Sequence, residues 1–172
     1  VLVVGRPLAI TEADRQSSAV LYAWLPGEFG GEAIANVLTG KVNPSGKMPI
    51  TVLRHAGQIP MRYDLQPLFD GPTHMAEYLD GQSNTPLYPF GHGLSYTQFA
   101  YSDLWVTPQL ACGETLEITF RVQNIGSVPG EETAQVYYRD CRASVVRPMR
   151  QLAAFTRVSL NPGEEKLVHI WL

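Results

Sequence analysis

The stretch ETLEITFRVQNIG, Glu114 to Gly126, sets Leu116, Ile118, Phe120 and Val122 against Glu117, Thr119, Arg121 and Gln123 at every second position. A strict period of two predicts a strand with one buried and one wet face. Similar runs surround it. FAYSDLWVTP precedes it from Phe99, and TAQVYYRD, QLAAFTRVSL and EEKLVHIWL follow it. Turns bearing Pro or Gly, such as SVPGEE, separate them. Five short strands with turn signals between them predict an antiparallel sandwich. An immunoglobulin-like sandwich needs about seven strands, and the fifth run meets the last residue, so this domain is expected to be incomplete.

Upstream the pattern changes. Val1 to Val4 is a continuous apolar run stopped by Gly5, as in a strand buried on both faces of a parallel sheet. A polar, poorly periodic stretch follows, Glu12 to Val20, and then a second apolar run, AVLYAWLPG. Ala33, Ile34, Val37 and Leu38 recur at helical spacing and Gly40 supplies a stop, which predicts a helix after EFGG. Strand, Gly-rich turn and helix form an α/β signature. Lys41 to Val52 reads as a turn feeding a short extended segment. Leu53 to Thr85 lacks periodicity and reads as a linker. The chain starts on a strand with no initiator Met, basic leader or cleavage site, and a longer parent chain is therefore expected.

The totals narrow the function classes. The 172 residues are 45% hydrophobic and 17% charged, with a formal net charge of -3. That composition supports a packed core. No basic run offers a nucleic-acid or anionic-membrane partner electrostatic support, and the apolar runs are too short to cross a bilayer as helices. Cys112 and Cys141 are the only cysteines, and both a single disulfide and two unpaired thiols fit the sequence. No CxxC occurs, and His55, His74, His92 and His169 show no ligand spacing, so no metal site is expected.

The segment NTPLYPFGHGLSYTQFAY, Asn84 to Tyr101, gathers Tyr88, Phe90, Tyr96, Phe99 and Tyr101 around Pro86, Pro89, Gly91 and Gly93. Pro limits φ and Gly permits turns that other residues resist, so the backbone path is expected to be fixed and irregular. The aromatics suit a seam where one module ends and the next begins, ahead of a ligand platform. If Phe90 is fully buried, Phe90→Ala is expected to cost about 3–5 kcal/mol.

Taken in order, GRPLAI, AWLPGEFGGEAIANVLTGKVNPSGKMPIT, GQIPMRYD, YLDGQSNTPLYPFGHGLSYTQFAYSDL, VQNIGSVPGEETAQVYYRD and RPMRQLAAFTRVSLNPGEE closely resemble the C-terminal part of glycoside hydrolase family 3, of the periplasmic β-glucosidase type. The likeness covers essentially the whole chain. PLYPFGHGLSYTQF is its most specific piece.

The resemblance implies an α/β plus all-β architecture. Residues 1–60 would be the tail of an α/β sandwich domain, 61–95 an interdomain linker, and 96–172 an incomplete fibronectin type III-like domain. It also implies a retaining β-glucosidase acting on terminal non-reducing glucosyl residues, periplasmic or secreted, with a β-glucoside or oligosaccharide reached through a barrel domain that these residues do not include. Retaining hydrolysis uses two carboxyl groups about 5–5.5 Å apart and needs no cofactor. Neither carboxylate's family motif occurs here, so no catalytic residue is assigned.

Three residues are candidates for substrate contact. Glu28, with Glu32, flanks the FGG turn; the competing reading is an acidic helix start favoured by the dipole. Tyr78 and Asp80 stand in EYLDG, where Asp accepts hydroxyls and Tyr offers an apolar face with a polar tip; the competing reading is a surface loop. Trp24 reads as a core residue before a sugar platform. Asp140 and Arg142 would share a strand face and pair. The rival functional reading is a non-catalytic β-sandwich module binding carbohydrate or protein.

Overall fold

The computed structural model describes residues 1–64 and 85–172. They gather into two compact units. The first comprises Val1–Leu38, Lys47–His92 and Tyr138–Gln151; the second comprises Thr39–Gly46, Gly93–Tyr137 and Leu152–Leu172.

In the first unit Leu2 forms a parallel bridge to Tyr22. Its N–H donates to the Leu21 carbonyl, and its own carbonyl accepts from the Ala23 N–H, both at 2.8 Å. Val1 and Val3 are 58% and 56% exposed. The expectation of a strand buried on both faces is therefore corrected. Burial on both faces needs layers packed above and below the sheet, and no such cover reaches Val1 or Val3 among the described residues.

Helix α1, Thr11–Arg15, lies where the sequence showed no periodicity. It is one turn long and has no buried residue. Acidic Glu12 and Asp14 suit its N-terminal end and Arg15 its C-terminal end. The Thr11 hydroxyl donates to the Arg54 carbonyl at 2.7 Å. Helix α2, Gly30–Leu38, follows the FGG turn. It stops where Gly40 adopts a φ of 75°, a left-handed conformation that glycine enters without steric cost.

Residues 48–52 and 88–92 run antiparallel. The Val52 N–H donates to the Tyr88 carbonyl, the Gly91 N–H to Met48 and the Met48 N–H to His92, at 2.7–2.8 Å. None of these bonds calls for a donor from Pro86 or Pro89, which have none to give. Phe90 stacks on Tyr63 with ring centroids 4.0 Å apart and is half-buried, not fully buried.

The second unit holds the sandwich. Strands β1 (Phe99–Val106), β2 (Glu117–Asn124) and β5 (Glu165–Trp171) form one sheet in the order β1-β2-β5; β3 (Gly130–Tyr138) and β4 (Gln151–Leu160) form the other. The outer two strands of the three-stranded sheet both pair antiparallel with β2.

The alternation of β2 is realised residue by residue. Ile118, Phe120 and Val122 enter the core with Val168 and Ile170 of β5, Ala134 of β3, and Val158 and Leu160 of β4. Each such side chain contributes about 1.5–3 kcal/mol on burial. A bulge interrupts β1 between Ser102 and Trp105, and Asp103 there takes a φ of 53°, a conformation that Asp tolerates better than most residues.

The turn VNPSG folds onto this unit. The Asn43 Oδ1 accepts from the Ser95 hydroxyl at 3.0 Å and the Tyr96 N–H at 2.8 Å, and the Ser45 carbonyl accepts from the Thr133 hydroxyl at 2.9 Å.

Beyond Tyr138 the chain leaves the sheet. The Asp140 carboxylate accepts from the Arg142 backbone N–H at 3.0 Å. The expected ion pair on a shared strand face is corrected to a local turn, because the strand ends before alternation can align the two charges. Cys112 and Cys141 are both exposed and free.

Candidate functional site

The turn between the Leu2–Tyr22 bridge and α2 carries the first candidate. Tyr22 fixes its entry: its hydroxyl donates to the Arg6 carbonyl at 3.2 Å and accepts from the Leu8 N–H at 3.0 Å. Its ring packs on Trp24 with centroids 4.6 Å apart. Trp24 has a φ of 53°. A bulky residue in the left-handed region is a true outlier whose strain the surroundings must hold in place. Beyond it Leu25 and Phe29 are 76% and 72% exposed. Gly30 is buried beneath the Pro26 ring, where an added Cβ would come within 2.5 Å of Cγ.

Glu28 projects from this turn, ahead of the first helical residue. Only Glu32 lies in the first turn of α2, so the reading of an acidic helix start holds for Glu32 and not for Glu28. Glu28 is exposed and makes no hydrogen bond or ion pair among the described residues. An unengaged carboxylate beside the exposed Phe29 ring can accept sugar hydroxyls while the ring packs on the pyranose face. Tyr78 and Asp80, the other two candidates, lie outside the described residues.

The same unit contains a polar cluster that sequence reasoning missed. The Tyr88 hydroxyl donates to the Asp14 carboxylate, and the Tyr88 ring stacks on His92 at 4.9 Å. The bond to Asp14, with burial and the Asp14 charge, pushes the Tyr88 pKa up to about 12. Burial, with the nearby Lys47 charge, lowers that of His92. Asp14 and Tyr88 are 74 residues apart in sequence, and no local motif signals their meeting. In the second unit, burial and the charge of Glu132 raise the pKa of Tyr101, whose hydroxyl donates to Glu132 at 2.9 Å.

Among the described residues no group of three or more His, Cys, Asp or Glu side chains is placed to hold a metal ion. No described helix is long and apolar enough to cross a membrane.

Comparison with known proteins places these features in a family. The profile of the glycosyl hydrolase family 3 C-terminal domain matches residues 1–96, and that of the fibronectin type III-like domain matches residues 132–172. The chain is 42% identical to a periplasmic β-glucosidase of Salmonella typhimurium, over 98% of its own length and 23% of the relative's. It is 40% identical to a putative β-xylosidase of Formosa agariphila, over 95% of its own length and 21% of the relative's. A solved structure of a β-glucosidase from Listeria innocua in complex with glucose superposes with a TM-score of 0.89 at 37% identity, covering 97% of this chain and 24% of that one. The chain thus spans between a fifth and a quarter of the length of these proteins. With its family 3 C-terminal half and its fibronectin type III-like strands, the chain belongs to glycoside hydrolase family 3.

Proposed function

We propose that this chain serves as the C-terminal part of a retaining β-glucosidase that removes terminal non-reducing β-D-glucosyl residues. The observation that carries the reading is the likeness to β-glucosidases along 97–98% of the chain. In this reading residues 1–60 complete an α/β sandwich domain, 61–95 link the domains, and 96–172 form the fibronectin type III-like domain. The chain has a structural and rim-forming role, and the two reacting carboxylates belong to residues outside it. Glu28, Tyr78 and Asp80 contact the sugar from the rim. The strained Trp24 supports this for Glu28, because strain of that kind collects at ligand sites. The protein works in the periplasm or is secreted, in keeping with the periplasmic relative.

A chimera tests the proposal. Residues 1–172 replace the matching segment of the Salmonella typhimurium relative, and hydrolysis of an aryl β-glucoside is measured. The chimera is expected to turn over. Glu28→Ala or Asp80→Ala in it is expected to lower kcat/KM about tenfold, the loss of roughly one charged hydrogen bond. A well-folded chimera without turnover, or rim substitutions without effect on kcat/KM, would count against the corresponding part of the reading.

A further inference from the structure

The outer face of the β1-β2-β5 sheet is not a plain solvated surface. The register sets Trp105 of β1 opposite Thr119 of β2, and Thr119 opposite His169 of β5. These three form a row across the sheet. In the next row Trp171 stands opposite Glu117. Trp105 and Trp171 are 49% and 63% exposed, while the opposite face of this sheet supplies Ile118, Phe120, Val122, Val168 and Ile170 to the core. The His169 and Trp171 rings stack within 18° of parallel, with centroids 5.7 Å apart. They make one flat aromatic slab at the β5 end, and Trp105 forms a second stacking point at the β1 end. Two strand spacings, about 10 Å, separate the ends of the row.

The Arg121 cation on this face is already engaged by carboxylates. Arg121 lies between Asp103 at 3.1 Å and Glu165 at 2.7 Å, and the His169 Nδ1 meets Glu117 at 3.3 Å. An anionic ligand finds no free cation among the described residues of this face and meets its carboxylates. A dry protein contact would have to desolvate these pairs, which is costly. A neutral, hydroxylated ligand can leave them wet and hydrogen-bond to them directly or through water. Its apolar faces would then lie on the rings.

We propose that this face binds a neutral glycan chain, with Trp105 and the His169–Trp171 slab stacking on different pyranose rings and Thr119 and Arg121 meeting the hydroxyls between them. None of these residues is among the proposed rim contacts. The choice of a β-linked glucan as probe rests on the proposed β-glucosidase role, but binding here requires no turnover, so the two readings fail independently.

The test is affinity electrophoresis of the 172-residue chain through gels containing soluble mixed-linkage β-glucan, with polygalacturonate as the charged control. Thermal melting monitors the fold of each variant. The expected result is retardation by β-glucan and none by polygalacturonate. Trp105→Ala and Trp171→Ala should each weaken retention about tenfold. Trp171→Phe should keep most of it, and Phe155→Ala, an exposed aromatic on β4, should change nothing. Unretarded wild-type chain would overturn the proposal. So would equal retention of the double Trp variant, or stronger retention by polygalacturonate. Concentration-dependent self-association abolished by the same substitutions, without glucan binding, would assign the face to a second copy instead and overturn it too.

Discussion

At position 124 one side-chain amide is used to capacity. The Asn124 Oδ1 accepts from the Thr97 hydroxyl at 2.6 Å and the Gly126 N–H at 3.1 Å, while Nδ2 donates to the Val128 and Leu160 carbonyls at 2.9 and 3.1 Å. The residue is fully buried, so removal of the amide strands several polar groups away from water. Asn124→Ala is therefore expected to destabilise the chain by about 3 kcal/mol, read from urea unfolding; a loss under about 1 kcal/mol would mean that water replaces the amide. No local sequence pattern signals this network, because its partners come from three separate segments: Thr97 before β1, Gly126 and Val128 in the loop after β2, and Leu160 at the end of β4.

Tyr88 gives a pH signature at the same scale. Its pKa rises from 10.0 to about 12 through the bond to Asp14, burial and the Asp14 charge. The folded state thus holds the phenolic proton more tightly than the unfolded one. That contribution is complete below about pH 10 and disappears as pH climbs towards 12. Stability of the wild-type chain should fall more steeply across that window than stability of Tyr88→Phe, measured by denaturant midpoint against pH. Parallel curves would show that the Asp14 bond does not favour the protonated form.

Among the elements, the sandwich strands and helix α2 were the legible ones. β2 alternates strictly because one face is core and one is wet, and a period of two written in residue types survives without tertiary information. Val122 is fully buried at the centre of that pattern, so Val122→Ala is expected to cost about 2 kcal/mol, again by urea unfolding. A near-neutral result would mean that the two sheets close over the gap.

Helix α1 was illegible because a single turn with no buried residue has no apolar stripe to announce it. The first strand was misread for the opposite reason: its apolar run is real, but burial depends on neighbours that a local pattern cannot supply.

At the first residue of β3, Gly130 marks a packing constraint that pattern reading does not detect. A Cβ there would come within 2.2 Å of Asn43 Nδ2 and 2.7 Å of Thr97 Cγ2. Gly130→Ala should push the VNPSG turn off the sheet and cost about 1–3 kcal/mol by overpacking. A circular-dichroism melt of the variant checks this, and an unchanged melting temperature would show that the turn yields freely.

For the molecule as a whole, the order of motifs carried more than any single motif. The family resemblance rested on six stretches in sequence, and the domain profiles and relatives agree with it. The candidate rim was legible only as residue types. Glu28 could be picked out beside its glycines, yet its exposure and the strain at Trp24, earlier in the same turn, come from the backbone path. The aromatic outer face required the pairing register, since Trp105 and Trp171 are 66 positions apart in the numbering of the chain.

Phe90 belongs to this scale as well. It stacks on Tyr63 but is only half-buried, so Phe90→Ala should cost about 2 kcal/mol rather than the loss of a fully buried ring. Limited proteolysis should show faster cleavage near residues 85–95. Unchanged cleavage would show that the stack of Phe90 on Tyr63 does not hold this segment in place.

The central claim is that this chain supports glycoside hydrolysis without carrying the reacting carboxylates. The most direct test is hydrolysis of an aryl β-glucoside by the purified 172-residue chain, with folding verified by circular dichroism. The account predicts a folded chain with no turnover. Turnover that persists through repurification and is lost on Glu28→Ala, Glu32→Ala or Asp80→Ala would contradict it and place catalytic carboxylates within these residues.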